Sequence, residues 1–178
     1  MNLFIDTSNK YIIFVLFDSE IKFCEFIETN NNQSEIFLDR LDHFLNSKQL
    51  QLAEIDNFFV ARGPGSFTGI RIGLSFAKAL KVSGYEQVYT ISSLELLLDN
   101  YHNSVAIIDA RGQKFYYQEV VESKFLSPKV VLASELSKEI SYNSYQNTLN
   151  VITQNVLNLV EKQRYSSDLT SEYVKAAF

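Results

Sequence analysis

The residue types best suited to chemistry in this chain surround one glycine-rich stretch, Gly63-Pro64-Gly65-Ser66-Phe67-Thr68-Gly69. An apolar run that predicts a buried strand precedes it, and a helical pattern follows it. A strand, a tight turn and a helix in this order bring backbone N–H groups and a positive helix end to one sheet edge, which suits a phosphate. A second predicted strand ends in carboxyl and hydroxyl side chains, where α/β enzymes often place catalytic groups. One hypothesis is therefore a nucleotide or anion loop. Its candidate residues are Asp6, Thr7, Gly65, Ser66, Thr68 and Gly69.

The spacing of these glycines matches neither of the common phosphate fingerprints. A P-loop requires G-x-x-x-x-G-K-[ST], whereas Gly63 and Gly69 are one residue too far apart and Ile70 stands at the lysine position. The dinucleotide pattern G-x-G-x-x-G fails because three residues separate Gly65 from Gly69, and Pro64 lacks an N–H donor. The competing interpretation is a tight corner that needs glycine for its backbone conformation. The strand end at residues 6–8 is likewise consistent with an ordinary polar turn.

Few other side chains in the sequence suggest catalysis. The two histidines, His43 and His102, are far apart and lack the spacing of a shared metal site. Cys24 is the single cysteine, which excludes an internal disulfide, and its position in a strand-like run predicts a buried apolar side chain. Ser66 and Thr68 have no histidine or lysine base nearby in sequence, so a hydrolase nucleophile has little support. We therefore expect no catalytic residue, no metal and no cofactor of the chain's own.

The helix predicted after the corner, residues 70–82, is apolar on two sides. At 100° per residue its apolar arc covers roughly 220°, about twice what a surface helix needs to bury one face. One side can pack on the protein's own sheet, and the other then needs another helix, another domain or another chain. Gly73 and Ala77 are small enough to let a second helix approach closely. In a chain of this length, we favour a partner protein.

The predicted strands and helices follow an alternating plan. Three strand-like runs with short turns, residues 3–5, 11–17 and 21–27, predict an antiparallel meander. Strands at 58–60 and 88–91 then alternate with helices, which favours parallel additions through right-handed crossovers. The first half therefore reads β-β-β-α-β-α-β-α.

Two of these helices carry predicted caps. Asn32, with Glu35 three residues on, predicts the start of an amphipathic helix that runs to about residue 47. Ser92, with Glu95 at the same spacing, predicts another helix whose buried side includes Tyr101.

Strand-like runs return from residue 105 onward, and Ile108-Asp109 repeats the context of Ile5-Asp6. We predict an N-terminal lobe over residues 1–103 and a smaller lobe with a tail over residues 104–178. The second lobe has four expected elements after its strands. They are a short helix at 134–140, a strand at 149–153, a helix at 156–160 and a poorly packed tail from residue 165.

Composition limits the classes of partner. The chain has 178 residues, 46% of them hydrophobic, and a net charge of −5, which argues against independent binding to nucleic acid. The N-terminus lacks the basic region and apolar core of a signal peptide, and no apolar run approaches the roughly 20 residues that span a membrane. We expect no membrane contact and a cytoplasmic location.

The run GPGSFTGIRIGLSFAKAL resembles the hallmark segment of the TsaB family, also called YeaZ. Residues 3–8 and 107–111 support the resemblance, which covers roughly residues 1–120. It implies an α/β fold of the actin, Hsp70 and sugar-kinase class (ASKHA), with duplicated β-β-β-α-β-α lobes of which the second is reduced here. It also implies a non-catalytic subunit of the machinery that makes N6-threonylcarbamoyladenosine at position 37 of tRNA.

The resemblance further implies partners. A TsaD-like catalytic subunit would bind the two amphipathic helices as a heterodimer, a TsaE-like ATPase would join the complex, and tRNA would be engaged only by the assembly. The family usually has a histidine where Gln33 stands. TsaD binds a metal through a pair of histidines. This sequence lacks that histidine pair, which leaves a peptidase-like activity unsupported. The interface anchors that we predict, with the inward side left open, are Phe37, Leu41, Phe44, Ile70, Leu74 and Ala77.

Two alternatives stay open at this point. One is a small ATP-dependent phosphotransferase or ATPase of the same fold class, with ATP or ADP held by the glycine-rich loop or at a complex interface. The other is a homodimer of the isolated chain through the same helical surface.

Overall fold

Two β-sheets and three α-helices make up the part of the chain that the computed structural model describes, residues 1–98, 103–137, 140–146 and 149–172. The helices and strands carry the following bounds. They are β1 Asn2–Asp6, β2 Tyr11–Phe17, β3 Ile21–Glu28, α1 Gln33–Ser47, β4 Asn57–Ala61, α2 Phe67–Val82, β5 Val88–Ile91, β6 Ser104–Arg111, β7 Lys114–Val121, β8 Lys124–Phe125, β9 Lys129–Leu132 and α3 Leu149–Glu161.

The first sheet has the strand order β3-β2-β1-β4-β5. Strands β1, β2 and β3 pair antiparallel, as their short turns predict, whereas β4 joins β1 and β5 joins β4 in parallel. The parallel pair sets Ile5 opposite Val60, so that Asp6 and the end of β4 lie at the same edge of the sheet. The predicted meander followed by parallel strand additions is confirmed.

Both faces of this sheet are covered, which explains why its central strands read as continuous apolar runs. Alternate side chains of a strand point to opposite faces. Phe4, Ile13 and Val15 pack in the core cluster that includes α3 and the second sheet. Ile5 and Phe14 belong to the cluster under α1 and α2. All five side chains are fully buried.

The second sheet has the order β6-β7-β8, with β9 pairing the other part of β7. Ala106 and Ile108 of β6 and Val120 of β7 share a core cluster with the first sheet. The second sheet begins one residue after the predicted lobe boundary, and the division into lobes 1–103 and 104–178 stays a prediction.

The strand predicted over residues 149–153 is wrong. Those residues begin α3, which continues to Glu161 in place of the separate short helix. The β-branched side chains of this run favour a strand locally. Ile152, Val156 and Leu159, however, recur at helical spacing and are fully buried, so tertiary packing decides for the helix.

Other predicted elements need smaller corrections. Helix α2 begins at Phe67 rather than at residue 70. The side chain of Asn32 precedes α1 without capping it, and accepts the N–H of Asn30 instead. A single 3₁₀ turn at Glu95–Leu97 stands where a helix capped by Ser92 was expected, and the predicted Tyr101 and His102 lie outside the described residues.

Two further expectations, on Cys24 and on the predicted helix at 134–140, are also wrong. The side chain of Cys24 is exposed on the edge strand β3. The expected short helix reduces, within the described residues, to a 3₁₀ turn at Ala133–Glu135.

The expected loose tail is in fact packed over residues 165–172. Ser166 and Thr90 exchange two backbone hydrogen bonds of 2.8 and 2.9 Å, so the segment extends the sheet beyond β5. The Tyr165 ring packs on Tyr89 at 4.7 Å between centroids. At its end the Glu172 carboxylate lies 3.4 Å from the Arg62 guanidinium. The segment therefore covers an edge strand that would otherwise be open to pairing with another chain.

Among the described helices, none combines the length and the apolar character that crossing a membrane would require.

Candidate functional site

The glycine-rich corner is built by close approach of its backbone to the turn after β1. A Cβ placed on Gly69 would lie 1.8 Å from the Thr7 carbonyl oxygen, and one on Gly65 would lie 2.3 Å from the Ser8 carbonyl oxygen. Neither position has room for any side chain. The glycines therefore seat the start of α2 directly on the end of β1.

Two backbone donors of the corner, the N–H groups of Ser66 and Gly69, serve this internal packing. The Ser66 N–H donates to the Ser8 carbonyl at 2.7 Å. The Ser66 hydroxyl caps α2 by accepting the Gly69 N–H at 3.3 Å, and the Thr7 hydroxyl donates to the Gly69 carbonyl at 2.7 Å. Thr68 is exposed on the first turn of α2. The Ser66 N–H, the Gly69 N–H and the Ser66 hydroxyl are thus engaged within the corner, and the anion-loop interpretation of Gly65, Ser66, Thr68 and Gly69 stays a prediction.

Asp6, the strand-end carboxylate, is fully buried. One of its oxygens accepts the Ser8 N–H at 2.7 Å, and the other accepts the Tyr145 hydroxyl at 2.6 Å and the Asn9 amide at 3.3 Å. Burial raises the pKa of Asp6 above its usual value, although these donors act in the opposite direction. Burial and the neighbouring Asp6 charge together hold the pKa of the Tyr145 hydroxyl well above its usual value.

Tyr145 was not among the residues that sequence reasoning selected. It lies in an irregular segment that carries no periodic pattern, and 139 residues separate it from Asp6. The Ser8 hydroxyl extends the cluster to Ser93, with 3.0 Å between the two hydroxyl oxygens. These polar groups satisfy one another inside the protein.

An open groove with a volume of about 500 Å³ lies between α1 and α2. Leu38 of α1 and Phe67 of α2 stand at its rim with 63% and 60% of their surface exposed. The rings of Phe37 and Phe76 pack edge to face, with 5.4 Å between their centroids. This contact joins the two helices under the groove. Its lining residues are Ser34, Phe37, Leu38, Phe67, Thr68, Arg71, Ile72, Ser75, Phe76 and Ala79.

The predicted interface anchors need correction, because the chain buries all six side chains by itself. Phe37, Leu41, Phe44, Ile70, Leu74 and Ala77 each expose less than a tenth of their surface. The side of α2 with Ala77 packs on the sheet, whereas the side with Ile72, Phe76 and Ala79 lines the groove. Of the six predicted anchors, only Phe37 both belongs to the core cluster and lines the groove. The two apolar sides of α2 are real, and the exposed side is the opposite one.

The two helices that flank the groove carry opposite charges on their exposed positions. Helix α1 exposes Glu35, Asp39 and Asp42, together with Arg40. Helix α2 exposes three basic side chains and no acidic one over its length. They are Arg71, Lys78 and Lys81. Of these charged side chains, Arg71 alone lines the groove, and the others lie at further exposed positions of the two helices.

Gln33, at the start of α1, is buried and donates through its amide to the Asn9 carbonyl at 3.0 Å. It thereby ties α1 to the turn between β1 and β2.

Among the described residues, no three histidine, cysteine, aspartate or glutamate side chains are grouped so that they could hold a metal ion.

Comparisons with known proteins relate the chain to one family. A family model described as TsaD: tRNA N6-adenosine threonylcarbamoyltransferase matches residues 28–138. The tRNA threonylcarbamoyladenosine biosynthesis protein TsaB of Haemophilus influenzae is 32% identical over 124 residues, which cover 62% of this chain and 52% of that protein. The chain thus matches about half the length of such curated TsaB relatives.

Two further comparisons extend over most of the chain. A Mycoplasma pneumoniae protein described as an uncharacterized MG208 homolog is 26% identical over 170 residues, 90% of this chain and 86% of that protein. The structure of YeaZ from Pseudomonas aeruginosa superposes with a TM-score of 0.75 at 15% identity, over 97% of this chain and 99% of that one. The superposition confirms the predicted fold class.

Proposed function

We propose a function from one premise: the chain belongs to the family described as TsaD: tRNA N6-adenosine threonylcarbamoyltransferase. Within that family we place it in the TsaB (YeaZ) group, because the TsaB proteins it matches are 32–33% identical to it. We propose that it is a non-catalytic subunit of the complex that makes N6-threonylcarbamoyladenosine in tRNA. In this role it binds the catalytic TsaD-like subunit and supports its activity, in the cytoplasm. A TsaE-like ATPase and tRNA would join through the assembly.

The observation that carries this proposal is the apolar groove between α1 and α2. Two large apolar side chains, Leu38 of α1 and Phe67 of α2, stand exposed at its rim. Contiguous exposed apolar surface of this kind marks a site of association with another protein. The groove runs between two long helices, so a partner helix can lie along it and contact residues at helical spacing.

A TsaD-like partner suits this surface. The TsaD family model covers residues 28–138, a range that contains both α1 and α2. A TsaD chain would therefore carry a corresponding helix pair, and like surfaces can pack across a local two-fold axis. Such packing places α1 of one chain against α2 of the other. The exposed acidic side chains of α1 would then face α2 of the TsaD chain, and a basic α2 there would favour association and fix its register.

Binding to the cognate TsaD-like subunit tests this proposal directly. Ala79→Arg places a long cation in the groove, and Val82→Arg places the same side chain on the same helix at a position that is 90% exposed and outside the groove lining. We expect Ala79→Arg to abolish co-elution in size-exclusion chromatography, and Val82→Arg to retain it. If both variants have the same thermal unfolding midpoint, the loss of co-elution does not come from unfolding of Ala79→Arg. If Ala79→Arg binds as tightly as the unmodified chain, the groove is not the docking surface.

The absence of catalysis by the isolated chain is part of the proposal. The carboxylate best placed for chemistry, Asp6, is buried and engaged by donors of the chain itself. Nucleoside analysis of tRNA incubated with the chain alone should therefore show no threonylcarbamoyladenosine, whereas the reconstituted complex should produce it. Modification of tRNA by the chain alone would contradict the non-catalytic role.

The same chromatography separates the homodimer from the heterodimer. A homodimer of the isolated chain through the groove would dissociate when TsaD is added, because both contacts use the same surface. We place any bound ATP or ADP at the interface of the complex.

A further inference from the structure

The hydrogen bond between Tyr145 and Asp6 joins the two sheets of the protein. Asp6 is the last residue of β1 in the first sheet. Tyr145 belongs to a segment attached to β6 in the second sheet, where the Asn143 N–H donates to the Val105 carbonyl at 2.8 Å and the Ile107 N–H donates to the Asn143 carbonyl at 2.9 Å. Separation of the sheets would therefore require this bond to break.

The polar site around Asp6 is filled by the chain itself. Both carboxylate oxygens accept hydrogen bonds from protein donors, and Tyr145 as a residue is 6% exposed. Close approach of the corner to Thr7 and Ser8 closes the site from the side of α2. A ligand that contacts the carboxylate would first have to displace the Tyr145 side chain.

The tyrosine hydroxyl also makes the burial of Asp6 tolerable. A buried carboxylate without donors is strongly unfavourable. Hydrogen bonds to a charged oxygen are short and strong, and the 2.6 Å between the two oxygens is in that range. The bond therefore stabilises the state in which the sheets are closed, relative to any state in which water or another ligand reaches Asp6.

We propose that Tyr145 is an internal ligand of Asp6 that locks the two sheets together and occupies the position a phosphate or a metal-bound ligand would need. The strand-end carboxylate thus has a structural role in this chain, and the cleft between the sheets does not open to a nucleotide. This inference does not depend on the identity of the partner at the groove.

A double-mutant cycle tests the lock. Tyr145→Phe, Asp6→Asn and the double variant are compared by urea unfolding at neutral pH. Tyr145→Phe should raise the unfolding equilibrium constant roughly 10- to 100-fold, because it removes a donor from a buried carboxylate. The same substitution should cost much less in the Asp6→Asn background. A cycle with no coupling overturns the proposal.

A matched control and a local measurement complete this test. Tyr142→Phe removes another tyrosine hydroxyl three residues earlier, one that donates to the Ser137 carbonyl on the surface, and should change the unfolding constant by no more than about threefold. In Tyr145→Phe, the amide hydrogens of Asn143 and Ile107 should exchange faster, while that of Phe14 in β2 keeps its protection. Uniform acceleration in all three would contradict a lock between the sheets.

The filled cleft has its own test. Tyr145→Ala leaves a ring-sized space beside Asp6, so phenol should raise the unfolding midpoint of this variant and leave the wild-type chain unchanged. MgATP should not bind the wild-type chain in calorimetry. One-to-one binding of MgATP that Asp6→Asn abolishes would overturn the proposal. If Tyr145→Ala fails to fold, the cycle with Tyr145→Phe still decides.

Discussion

Arginine at position 77 distinguishes the two sides of α2. Ala77 has no exposed surface and lies in the core cluster between α2 and the sheet. An arginine there adds volume to a packed core, which costs about 1–3 kcal/mol, and buries a charge without a partner, which costs several kcal/mol more. The sum is at least about 5 kcal/mol and comparable to the whole stability of a small domain. We therefore expect Ala77→Arg to be unfolded or aggregated.

Far-UV circular dichroism with urea titration measures this effect, and Ala79→Arg is the matched control. Ala79 is two residues further along the same helix, exposed at the groove. An exposed substitution should leave the free energy of unfolding within about 0.5 kcal/mol of the wild-type value. A folded Ala77→Arg chain with an unchanged urea midpoint would refute the reasoning, because α2 would then present Ala77 to solvent. The sequence pattern alone had left this choice open.

Three further perturbations test the corner, the buried carboxylate and the C-terminal segment. Gly69→Ala should destabilise the fold by about 1–3 kcal/mol or more in thermal unfolding, because its Cβ would lie 1.8 Å from the Thr7 carbonyl oxygen. Because burial raises the pKa of Asp6 in the fold above its unfolded value of 3.8, its contribution to stability falls as pH rises from about 4 through the folded pKa. Urea midpoints across that range should therefore fall relative to those of Asp6→Asn, and parallel curves would contradict this. Arg164, the residue just before the packed segment 165–172, donates two hydrogen bonds to the Glu95 carboxylate. Glu95→Gln weakens both bonds and should cost about 1 kcal/mol by urea unfolding, since the partly exposed arginine regains water. An unchanged midpoint would show that this pair does not anchor the start of the segment.

The sheet and its connections were predictable because their signals are local. Tyr11–Phe17 is a continuous run of β-branched and aromatic residues, and the structure forms a strand over that range. Short turns before and after it leave only antiparallel pairing with its neighbours. The glycine-rich corner at Gly63–Gly69 marks the boundary between β4 and α2. By contrast, residues 149–153 favour a strand by propensity, and the burial of Ile152 and Val156 against the sheets makes them helical. Local preference is weaker than tertiary packing there.

The sequence by itself determined the antiparallel meander, the position of the corner and the existence of two apolar sides on α2, because each depends on local spacing, whereas the fold class was implied by the family resemblance of one run. Only the tertiary structure decided which side of α2 the sheet covers, since both sides are equally apolar in the pattern. It also decided the role of Asp6, whose partner Tyr145 is 139 residues away. Contacts between distant segments depend on how the whole chain packs, and no periodicity within a segment records them.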